Sequence, residues 1–261
     1  MDIIFYKYQG TGNDFVILDN RAHQYDELTN EQVKFLCDRK FGIGGDGLML
    51  LNEHGNYDFE MVYYNADGNE GSMCGNGGRC LVRFASDAGI KKSHYKFIAT
   101  DGSHEAEIDF NGEVRLKMKD VVSVQEEADH FVLNTGSPHY VKFIKNLQEA
   151  PVKEEGSKIR NSKPFSEEGI NVNFVEELDE HTIFVRTYER GVEDETLSCG
   201  TGVTAAALVS AHNENGFNEI DVKTIGGNLC VEFETINNTS FSNIWLRGPA
   251  EFVFKGQIRL K

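Results

Sequence analysis

Residues 73–78 read MCGNGG, and residues 199–202 read CGTG. Each motif precedes a stretch typical of a helix, since RCLVRFASDAG follows the first and VTAAALVSA follows the second. A chain with five cysteines therefore places two of them, Cys74 and Cys199, directly before a Gly-x-Gly corner that opens a helix. Glycines at such a corner let a ligand approach the backbone, so both corners are candidate anion sites.

The two corners belong to an internal repeat of the sequence. TGNDFV begins at residue 11 and TGSPHYV at residue 135, an offset of 124, and the two Cys-Gly-x-Gly motifs are offset by 125. The segment FEMVYYNADGNEGSM before the first corner aligns with FVRTYERGVEDETLS before the second. A period of this length is the size of a domain, unlike the short period of a solenoid. We predict two similar halves, residues 1–118 and 119–250, with the ligand in the cleft between them.

Strand patterns dominate the rest of the chain. AEIDFNGEVRLKM alternates on both sides of Asn111-Gly112, and IDVKTIGGNLCVEFE does so around Gly226-Gly227, which is typical of β-hairpins. TNEQVKFLCDRKFG predicts a helix with a capping box at Thr29 and an end at Gly42. The charged segment 146–169 is interpreted as a surface excursion with room for a helical turn, and not as a domain boundary. These patterns predict an α+β fold, rich in strands with a few central helices.

Composition and charge argue against several classes of protein. The chain has 261 residues and a formal net charge of −16, which disfavours nucleic acid or an anionic membrane as a partner. No apolar run reaches the roughly 18 residues of a membrane span, and the first residues do not read as a signal peptide. Five cysteines, an odd number, favour a reducing cytoplasm over a disulfide framework. The cysteine and histidine spacings match no metal motif, so we expect no metal.

The chemistry of the two corners suits inversion of a carbon centre. The first turn of a helix has N–H groups without intrahelical partners, and the positive end of the helix dipole lowers the pKa of a cysteine placed there. Two corners facing each other would put a sulfur on either side of a ligand. One thiolate then removes a proton from one face while the opposite thiol protonates the other. Helix N-termini at the substrate carboxylate stabilise the developing charge, so no cofactor is required.

A simpler interpretation is that these cysteines only pack, because a single cysteine before glycine is usually a small buried residue. The repeat favours reactivity for Cys74 and Cys199. Cys37, Cys80 and Cys230 are predicted to pack in the core, and Cys80 is also a candidate second thiol near the site. A non-catalytic amino-acid-binding protein and a thiol-redox protein stay open as alternative functions.

At these residues the sequence resembles the diaminopimelate epimerase family, whose members are cofactor-independent amino-acid epimerases with two cysteines. The resemblance covers essentially the whole chain through GTGNDFV, FGIGGDG, YNADGNEGSMCGNGGRC, TGSPHYV, NVNFVE and YERGVEDETLSCGTG. Proline racemases usually have His after the first Cys-Gly and an Asp-Arg-Ser-Pro-type lead to the second, and neither occurs here. The resemblance implies epimerisation of LL-2,6-diaminopimelate to meso-diaminopimelate in lysine and cell-wall precursor biosynthesis. An epimerase or racemase of proline, hydroxyproline or another amino acid is the alternative.

The resemblance also implies roles for individual positions. Cys74 and Cys199 match the acid–base pair, and His139 matches a histidine beside them. The other implied positions are the carboxylate-binding helix N-termini at Gly75, Asn76, Gly200 and Thr201, the side chains near the reacting amino group at Asn13 and Glu189, and the groups that read the distal end at Asn65, Asn171 and Arg190. Arg190 suits a bidentate carboxylate contact.

Each of these polar residues also has a structural interpretation. Asn13, Asn65 and Asn171 are common turn residues. Adjacent charges such as Glu189 and Arg190 are more often solvated, because exposed ion pairs contribute little to stability. His139 is also compatible with a surface loop, and the other acidic residues of the motifs are predicted to be turn or cap residues: Asp14, Asp46, Asp67 and Glu195.

The sequence departs from the family pattern at three places. Ser137 stands where many relatives have Asn, Gly47 stands where some have Gln, and the stretch from Arg190 to Cys199 is one residue longer than usual. These departures concern substrate fit, and they leave the cysteine chemistry intact. The resemblance further implies two pseudo-symmetric, barrel-like halves, each around a central helix, with the strand at about 251–261 returning to the first half. A small-molecule amino acid is the expected partner, and a homodimer stays open.

Overall fold

The computed structural model describes residues 1–71, 73–211 and 215–260. Contacts divide the chain into two compact units. The N-terminal unit contains Met1–Leu116 and the chain from Gly248 onward, and the C-terminal unit contains Lys117–Arg247. Among the helices of the described ranges, none combines the length and the apolar composition needed to cross a membrane.

Eight strands and two helices build the N-terminal unit. They are β1 (Asp2–Gly10), β2 (Asn13–Asp19), α1 (Asn30–Cys37), β3 (Gly47–Asn52), β4 (Phe59–Asn65), α2 (Gly75–Asp87), β5 (His94–Ala99), β6 (Gly102–Ile108), β7 (Val114–Lys117) and β17 (Glu251–Arg259). The strands pair in the order β17-β1-β2-β3-β4-β5-β6-β7. The β2–β3 and β4–β5 pairs are parallel, and the other pairs are antiparallel.

The C-terminal unit has the remaining elements. They are β8 (Val124–Glu126), β9 (Phe131–Asn134), β10 (Pro138–Phe143), a 3-10 turn (Leu147–Glu149), α3 (Val152–Arg160), β11 (Asn171–Asp179), β12 (Thr182–Glu189), β13 (Asp194–Thr196), α4 (Gly200–Ser210), β14 (Gly216–Thr224), β15 (Gly227–Asn237) and β16 (Ser240–Gly248). The strands pair in the order β8-β9-β10-β11-β12-β14-β15-β16. The β10–β11 and β12–β14 pairs are parallel, and β13 forms an extra pair with β12.

The two units share one internal topology. In each, the third and fifth pairs of the strand order are parallel, and a helix connects the strands of each parallel pair, as a parallel connection requires. The repeat seen in the sequence is therefore a repeat of the fold. The place of β8 in the C-terminal unit is taken in the N-terminal unit by β17, which pairs with β1 from Asp2↔Arg259 to Gln9↔Glu251.

A buried helix stands at the centre of each unit. Helix α2 packs against β1, β2, β3, β4, β6 and β17, and α4 packs against β9, β10, β11, β12, β14 and β15. Nine residues of α4 are buried, which fits its GTGVTAAALVS sequence, apolar on every side. The α+β fold class, with strand-rich halves around central helices, is confirmed.

Two local predictions need correction. Helix α1 has the predicted capping box at Thr29, but it ends at Cys37 rather than at Gly42. The Asp38 carboxylate accepts hydrogen bonds from the backbone N–H groups of Lys40 and Phe41 at 2.7 and 2.8 Å, which stabilises a turn in place of another helical turn.

The segment 146–169 contains a longer helix than the helical turn that the sequence allowed. It contains α3, whose buried Val152 and Gly156 face the unit's core. A Cβ at Gly156 would lie 2.4 Å from the Cβ of Tyr188, so the helix packs directly on β12. The charged residues of KEEGSKIR lie on the exposed side and hide this apolar stripe in the sequence. Both predicted hairpins are present, as β6–β7 and β14–β15.

Candidate active site

The first corner lies at the N-terminus of α2. Cys74 is the N-cap, with an extended backbone (φ −96°, ψ 127°), and its carbonyl accepts the first helical hydrogen bond from Gly78 N–H at 2.7 Å. The thiol is half-buried, and its side chain makes no capping hydrogen bond. As the N-cap, Cys74 directly precedes Gly75 and Asn76, whose first-turn N–H groups lie at the positive end of the helix dipole.

Asn76 connects this corner to the strand that begins at Asn13. Its side-chain Nδ2 donates to Asn13 Oδ1, and Asn13 Nδ2 donates to Asp46 Oδ2 at 3.0 Å. Its Oδ1 accepts from Arg79 Nη2 at 2.9 Å and from Thr11 Oγ1 at 3.3 Å. Asn13 and Asn76, assigned by resemblance to neighbouring substrate groups, are thus in direct contact in the N-terminal unit.

Arg79 is the largest fully buried side chain of the described residues. Its Nη2 donates to Asn76 and to Thr11, whereas Nε and Nη1 have no hydrogen-bond partner among the described residues. Burial lowers the pKa of the guanidinium, opposed by the nearby sulfurs of Cys80 and Cys74. A buried cation with neutral partners is costly, so its presence here calls for a functional reason.

Asp46 and Asp14 are more than turn residues. Arg39 contacts both, with Nη2 at 2.6 Å from Asp14 Oδ1 and 2.7 Å from Asp46 Oδ1. The buried Lys7 adds a second cation at 2.7 Å from Asp14 Oδ2. Burial is the largest single effect on the pKa of Asp14 and raises it, but the hydrogen bonds and charges of Arg39 and Lys7 together outweigh burial and hold this pKa at about 2. This network fixes the loop 38–46 against the start of β2.

The other acidic motif residues behave differently. Asp67 accepts hydrogen bonds from the backbone and side chain of Asn69, as a turn residue does. Glu195 is instead the bidentate partner of Arg186 at 2.6 and 2.7 Å.

Asn65 and Gly47 lie side by side across β3 and β4. Asn65 is exposed at the end of β4, where its carbonyl accepts from Gly68 N–H at 3.0 Å, so it has the turn role that the sequence also allowed. A Cβ at position 47 would lie 2.5 Å from the ring of Tyr63 and 2.6 Å from the carbonyl of Tyr64. The Tyr63 ring and the Tyr64 carbonyl therefore leave room only for glycine at position 47, and a larger side chain would clash with them.

The second corner repeats the first at the N-terminus of α4. Cys199 is the N-cap (φ −111°, ψ 111°), and its carbonyl accepts from Val203 N–H at 2.8 Å. Its sulfur lies 3.5 Å from Thr201 Oγ1, and the carbonyl of Thr201 accepts from Thr135 Oγ1 at 2.9 Å. This cysteine is more deeply buried than Cys74, with 8% of its surface exposed.

His139 lies fully buried in β10 and is not a loop residue. Asn173 Nδ2 donates to its Nδ1 at 3.0 Å and to the carbonyl of Tyr140 at 3.0 Å, while Asn173 Oδ1 accepts from Thr187 Oγ1 at 2.9 Å. Since Nδ1 accepts, the proton of the neutral imidazole is on Nε2, which has no partner among the described residues. Burial, assisted by the Arg190 charge, lowers the pKa of His139 to about 3.

Ser137, Asn171 and Arg190 form one cluster. Asn171 Nδ2 donates to Ser137 Oγ at 2.9 Å, and Asn171 Oδ1 accepts from the backbone N–H of Arg190 at 2.9 Å. Arg190 Nη2 donates to Ser137 Oγ at 3.3 Å, and Nη1 donates to the carbonyl of Glu168 at 3.0 Å. Glu189, half-buried at the end of β12, precedes this cluster.

The other three cysteines are buried, as predicted. Burial raises the pKa of Cys37, Cys80 and Cys230 to about 12, so all three stay as thiols. Cys230 lies near Glu219 and Glu232. The guanidinium of Arg247 lies 3.1 Å from Glu219 and 3.2 Å from Glu232, so this acidic group is matched by a cation of the chain.

The structure thus gathers the predicted residues into one group in each unit. Asn13, Cys74, Gly75 and Asn76 lie together in the N-terminal unit, with Asn65 at the end of the neighbouring β4. The C-terminal group contains Cys199, Gly200 and Thr201 at one corner and Ser137, His139, Asn171, Glu189 and Arg190 on β10, β11 and β12 and beside them. Sequence reasoning missed Thr11, Thr135, Arg79 and Asn173. For Thr11 and Thr135 the sequence did offer a signal, since each is the first residue of one copy of the repeated TG motif. Arg79 and Asn173 had no such signal.

Comparison with known proteins identifies relatives of the chain. The family model of diaminopimelate epimerase matches residues 5–124 and 131–253. A diaminopimelate epimerase of Flavobacterium psychrophilum is 51% identical over 97% of this chain and 99% of its own length. The diaminopimelate epimerase of Chlorobaculum tepidum is 44% identical over 96% of this chain and 99% of its own.

Solved structures share the fold at low sequence identity. A phenazine biosynthesis protein of the PhzF family from Bacillus anthracis has a TM-score of 0.75 at 15% identity, with full coverage of both chains. A hydroxyproline epimerase from Agrobacterium vitis has a TM-score of 0.69 at 14% identity, and the match covers 98% of this chain and 92% of that one. With two cysteine corners on a repeated fold and relatives matched over nearly their whole length, the chain belongs to the diaminopimelate epimerase family.

Proposed function

We propose that this protein interconverts LL- and meso-2,6-diaminopimelate by two-base proton transfer at the α-carbon, with Cys74 and Cys199 as the acid–base pair. Membership of the family carries the reaction, and the matched position of both cysteines as N-caps of buried helices carries the assignment of the pair. In each direction one thiolate accepts the α-proton, and the other thiol delivers a proton to the opposite face.

Helix N-termini supply the electrostatic part of this mechanism. Removal of an α-proton moves negative charge into the substrate carboxylate, and preorganised donors there lower the barrier. The N–H groups at Gly75 and Asn76, and those at Gly200 and Thr201, are first-turn donors of α2 and α4. No residue of this scheme needs an electron-withdrawing cofactor.

Several polar side chains recognise the substrate in this proposal. Asn13 and Glu189 receive the reacting ammonium, since an amide oxygen and a carboxylate are its natural acceptors. Arg190 binds the distal carboxylate, supported by its contact with the Ser137–Asn171 pair, and Asn65 completes the distal end. His139 is a neutral hydrogen-bond donor through Nε2 in this scheme and does not act as a base.

The expected surroundings follow from charge and cysteine chemistry. A net charge of −16 supports a small zwitterionic partner over nucleic acid or an anionic membrane. Five free thiols support a reducing cytoplasm. A homodimer is the assembly that we test for, by light scattering across a range of concentrations.

Exchange of the α-proton tests the proposal. Incubation of reduced protein with LL-diaminopimelate in heavy water should introduce deuterium at the α-carbon and yield the meso isomer with no added cofactor. Cys74→Ala and Cys199→Ala should each abolish epimerisation, and Cys230→Ala, which removes a buried thiol of the C-terminal unit, should keep it. If the folded wild-type protein exchanges the α-proton of proline but not that of diaminopimelate, the assigned substrate is wrong. If Cys74→Ala and Cys199→Ala both keep the wild-type rate, the assignment of the acid–base pair is wrong.

A further inference from the structure

A continuous chain of hydrogen bonds in the N-terminal unit runs from an anion to a cation through two amides. Asp46 Oδ2 accepts from Asn13 Nδ2 at 3.0 Å, Asn13 Oδ1 accepts from Asn76 Nδ2, and Asn76 Oδ1 accepts from Arg79 Nη2 at 2.9 Å. Thr11 Oγ1 supports the cationic end, at 3.3 Å from both Asn76 Oδ1 and Arg79 Nη2. We call this chain the amide relay.

The charged ends of the amide relay give it a direction. A carboxylate only accepts hydrogen bonds and a guanidinium only donates them, whereas an amide can turn either its oxygen or its nitrogen to a neighbour. Asp46 therefore requires the side-chain nitrogen of Asn13 as its donor, and Arg79 requires the side-chain oxygen of Asn76 as its acceptor. The two inner groups that remain, Asn13 Oδ1 and Asn76 Nδ2, are then an acceptor next to a donor.

We propose that Asp46 and Arg79 are positioning residues that lock the amides of Asn13 and Asn76 in the one orientation that suits an α-amino acid. This inference rests on the proposed function, in which Asn13 receives the reacting ammonium and the backbone N–H of Asn76 faces the reacting carboxylate. It adds the side-chain amide of Asn76 as a second donor to that carboxylate. Asn13 Oδ1 can accept from an ammonium, and Asn76 Nδ2 can donate to a carboxylate. With both amides reversed, an amide N–H would face the ammonium and an oxygen would face the carboxylate.

Burial explains why the ends must be charged. Asn76 is 1% exposed and Arg79 is fully buried, so water cannot correct a reversed amide there. Arg79 keeps two unpartnered nitrogens, Nε and Nη1, within the described residues. A neutral donor in its place could also accept a hydrogen bond, and the direction of the relay would be lost.

Among the residues that the structure describes, the second corner has no counterpart of the relay. Thr201 and Thr204 occupy the positions that match Asn76 and Arg79 at the repeat offset of 125. Thr204 Oγ1 donates to the carbonyl of Gly200 at 2.9 Å within its own helix, and Thr201 Oγ1 lies near the sulfur of Cys199. Recognition of the ammonium and carboxylate by side-chain amides is therefore assigned to the first corner.

Two variants separate the ends of the relay. Asp46→Asn keeps the shape but adds a donor, and Arg79→Met keeps much of the length and removes the charge. The matched control is Arg83→Gln, which lies one turn further along α2 and pairs with Asp87 instead. The first readout needs no substrate: NMR of the side-chain NH2 groups of Asn13 and Asn76, assigned with single Asn→Ala variants, measures their exchange with water.

The relay predicts an effect at a distance. Asp46→Asn should speed exchange at Asn76 at least about tenfold, and Arg79→Met should do the same at Asn13, although neither residue touches that amide; Arg83→Gln should change neither. If each variant affects only the amide that it contacts, the relay is overturned. The thermal midpoint of each variant confirms that it is folded.

Kinetics give the second readout. Each variant should lower kcat/KM for diaminopimelate at least about tenfold, chiefly through KM. Because both residues act on the same amides, kcat/KM of the double variant should be no lower than that of the less active single variant. Additive losses, or kcat/KM within twofold of wild type in both variants, would overturn the positioning role. A wild-type protein that does not exchange the α-proton of diaminopimelate would instead refute the proposed function, and the amide measurement would still decide the relay.

Discussion

Gly202 and Asn173 make the closest approach at the second cysteine corner, because a Cβ at position 202 would lie 2.2 Å from Asn173 Oδ1. This oxygen accepts from Thr187, and the nitrogen of the same amide holds His139. The glycine of the CGTG motif therefore makes room for the residue that fixes the histidine. At the first corner a Cβ at the equivalent Gly77 would lie 3.2 Å from the sulfur of the flexible Met49 side chain, and at ordinary contact distances of 3.5 and 3.6 Å from Cys74 Cβ and the Phe15 ring.

Substitution of alanine for each of these two glycines should change the free energy of unfolding by different amounts. Gly202→Ala should lower the free energy of unfolding by about 1–3 kcal/mol, because Asn173 must move within a packed core. Gly77→Ala should cost less than about 1 kcal/mol, because Met49 can adjust and alanine favours the helix. Urea unfolding of both variants measures this, and equal losses of stability would contradict the packing argument.

The five thiols should differ sharply in reactivity. Cys74 is half-buried at a helix N-terminus, which favours its thiolate, whereas burial raises the pKa of Cys37, Cys80 and Cys230 to about 12. Brief treatment of the reduced native protein with iodoacetamide at neutral pH should label Cys74 first, and Cys199 more slowly because it is 8% exposed. Peptide mass spectrometry measures the order. Labelling of Cys80 as fast as Cys74 would show that the core opens readily, and would contradict this prediction.

His139 should make the fold sensitive to mild acid. Its pKa is lowered to about 3 by burial, compared with about 6.5 in the unfolded chain, so the unfolded state binds more protons between these values. Stability from this residue is therefore complete above about pH 6.5 and falls as the pH drops, by about 2 kcal/mol at pH 5. Asp14, with a pKa of about 2, loses its contribution only below about pH 4, outside this window.

Substitution separates this effect from other titrations. Urea unfolding at pH 7 and pH 5 should show a smaller decrease in stability for His139→Gln than for wild type, by about 2 kcal/mol. His23→Gln, which alters an exposed histidine paired with Asp26, should behave as wild type. A full decrease in the His139 variant would mean that another group carries the acid sensitivity.

The sequence predicted the repeated cysteine corners, the tight turns and the helix N-cap. The repeat identified the two corners, the Asn-Gly and Gly-Gly turns identified the hairpins, and Thr29 identified the start of α1. These features are local or periodic, so a single sequence displays them. The sequence allowed only a helical turn where α3 lies, because the buried face of this helix, which includes Val152 and Gly156, is narrow and lies among charged residues.

The polar interior of the site was much harder to predict. Arg79 looks like a surface residue of an amphipathic helix, and Asp46 looks like a turn residue of a glycine-rich loop. Their roles depend on a contact between residues 33 positions apart, Asn13 and Asp46, and another 63 positions apart, Asn13 and Asn76. Hydrogen bonds of this kind leave no periodic trace, so the structure was needed to find them.

Arg190 should determine the preference for a substrate with a distal carboxylate. Lysine differs from diaminopimelate only by lacking that carboxylate, so it is the matched comparison. Arg190→Met should lower kcat/KM for LL-diaminopimelate roughly 10- to 100-fold, the value of one charge-assisted contact, and leave the slow α-proton exchange of lysine within a few-fold of wild type. Arg160→Met is the control for loss of a neighbouring cation. Arg160 forms an ion pair with Glu193 and is not hydrogen-bonded to Ser137 or Asn171. Isotope exchange monitored by NMR measures both substrates, and an equal fall for lysine would mean that Arg190 acts on the reacting end or on the fold instead.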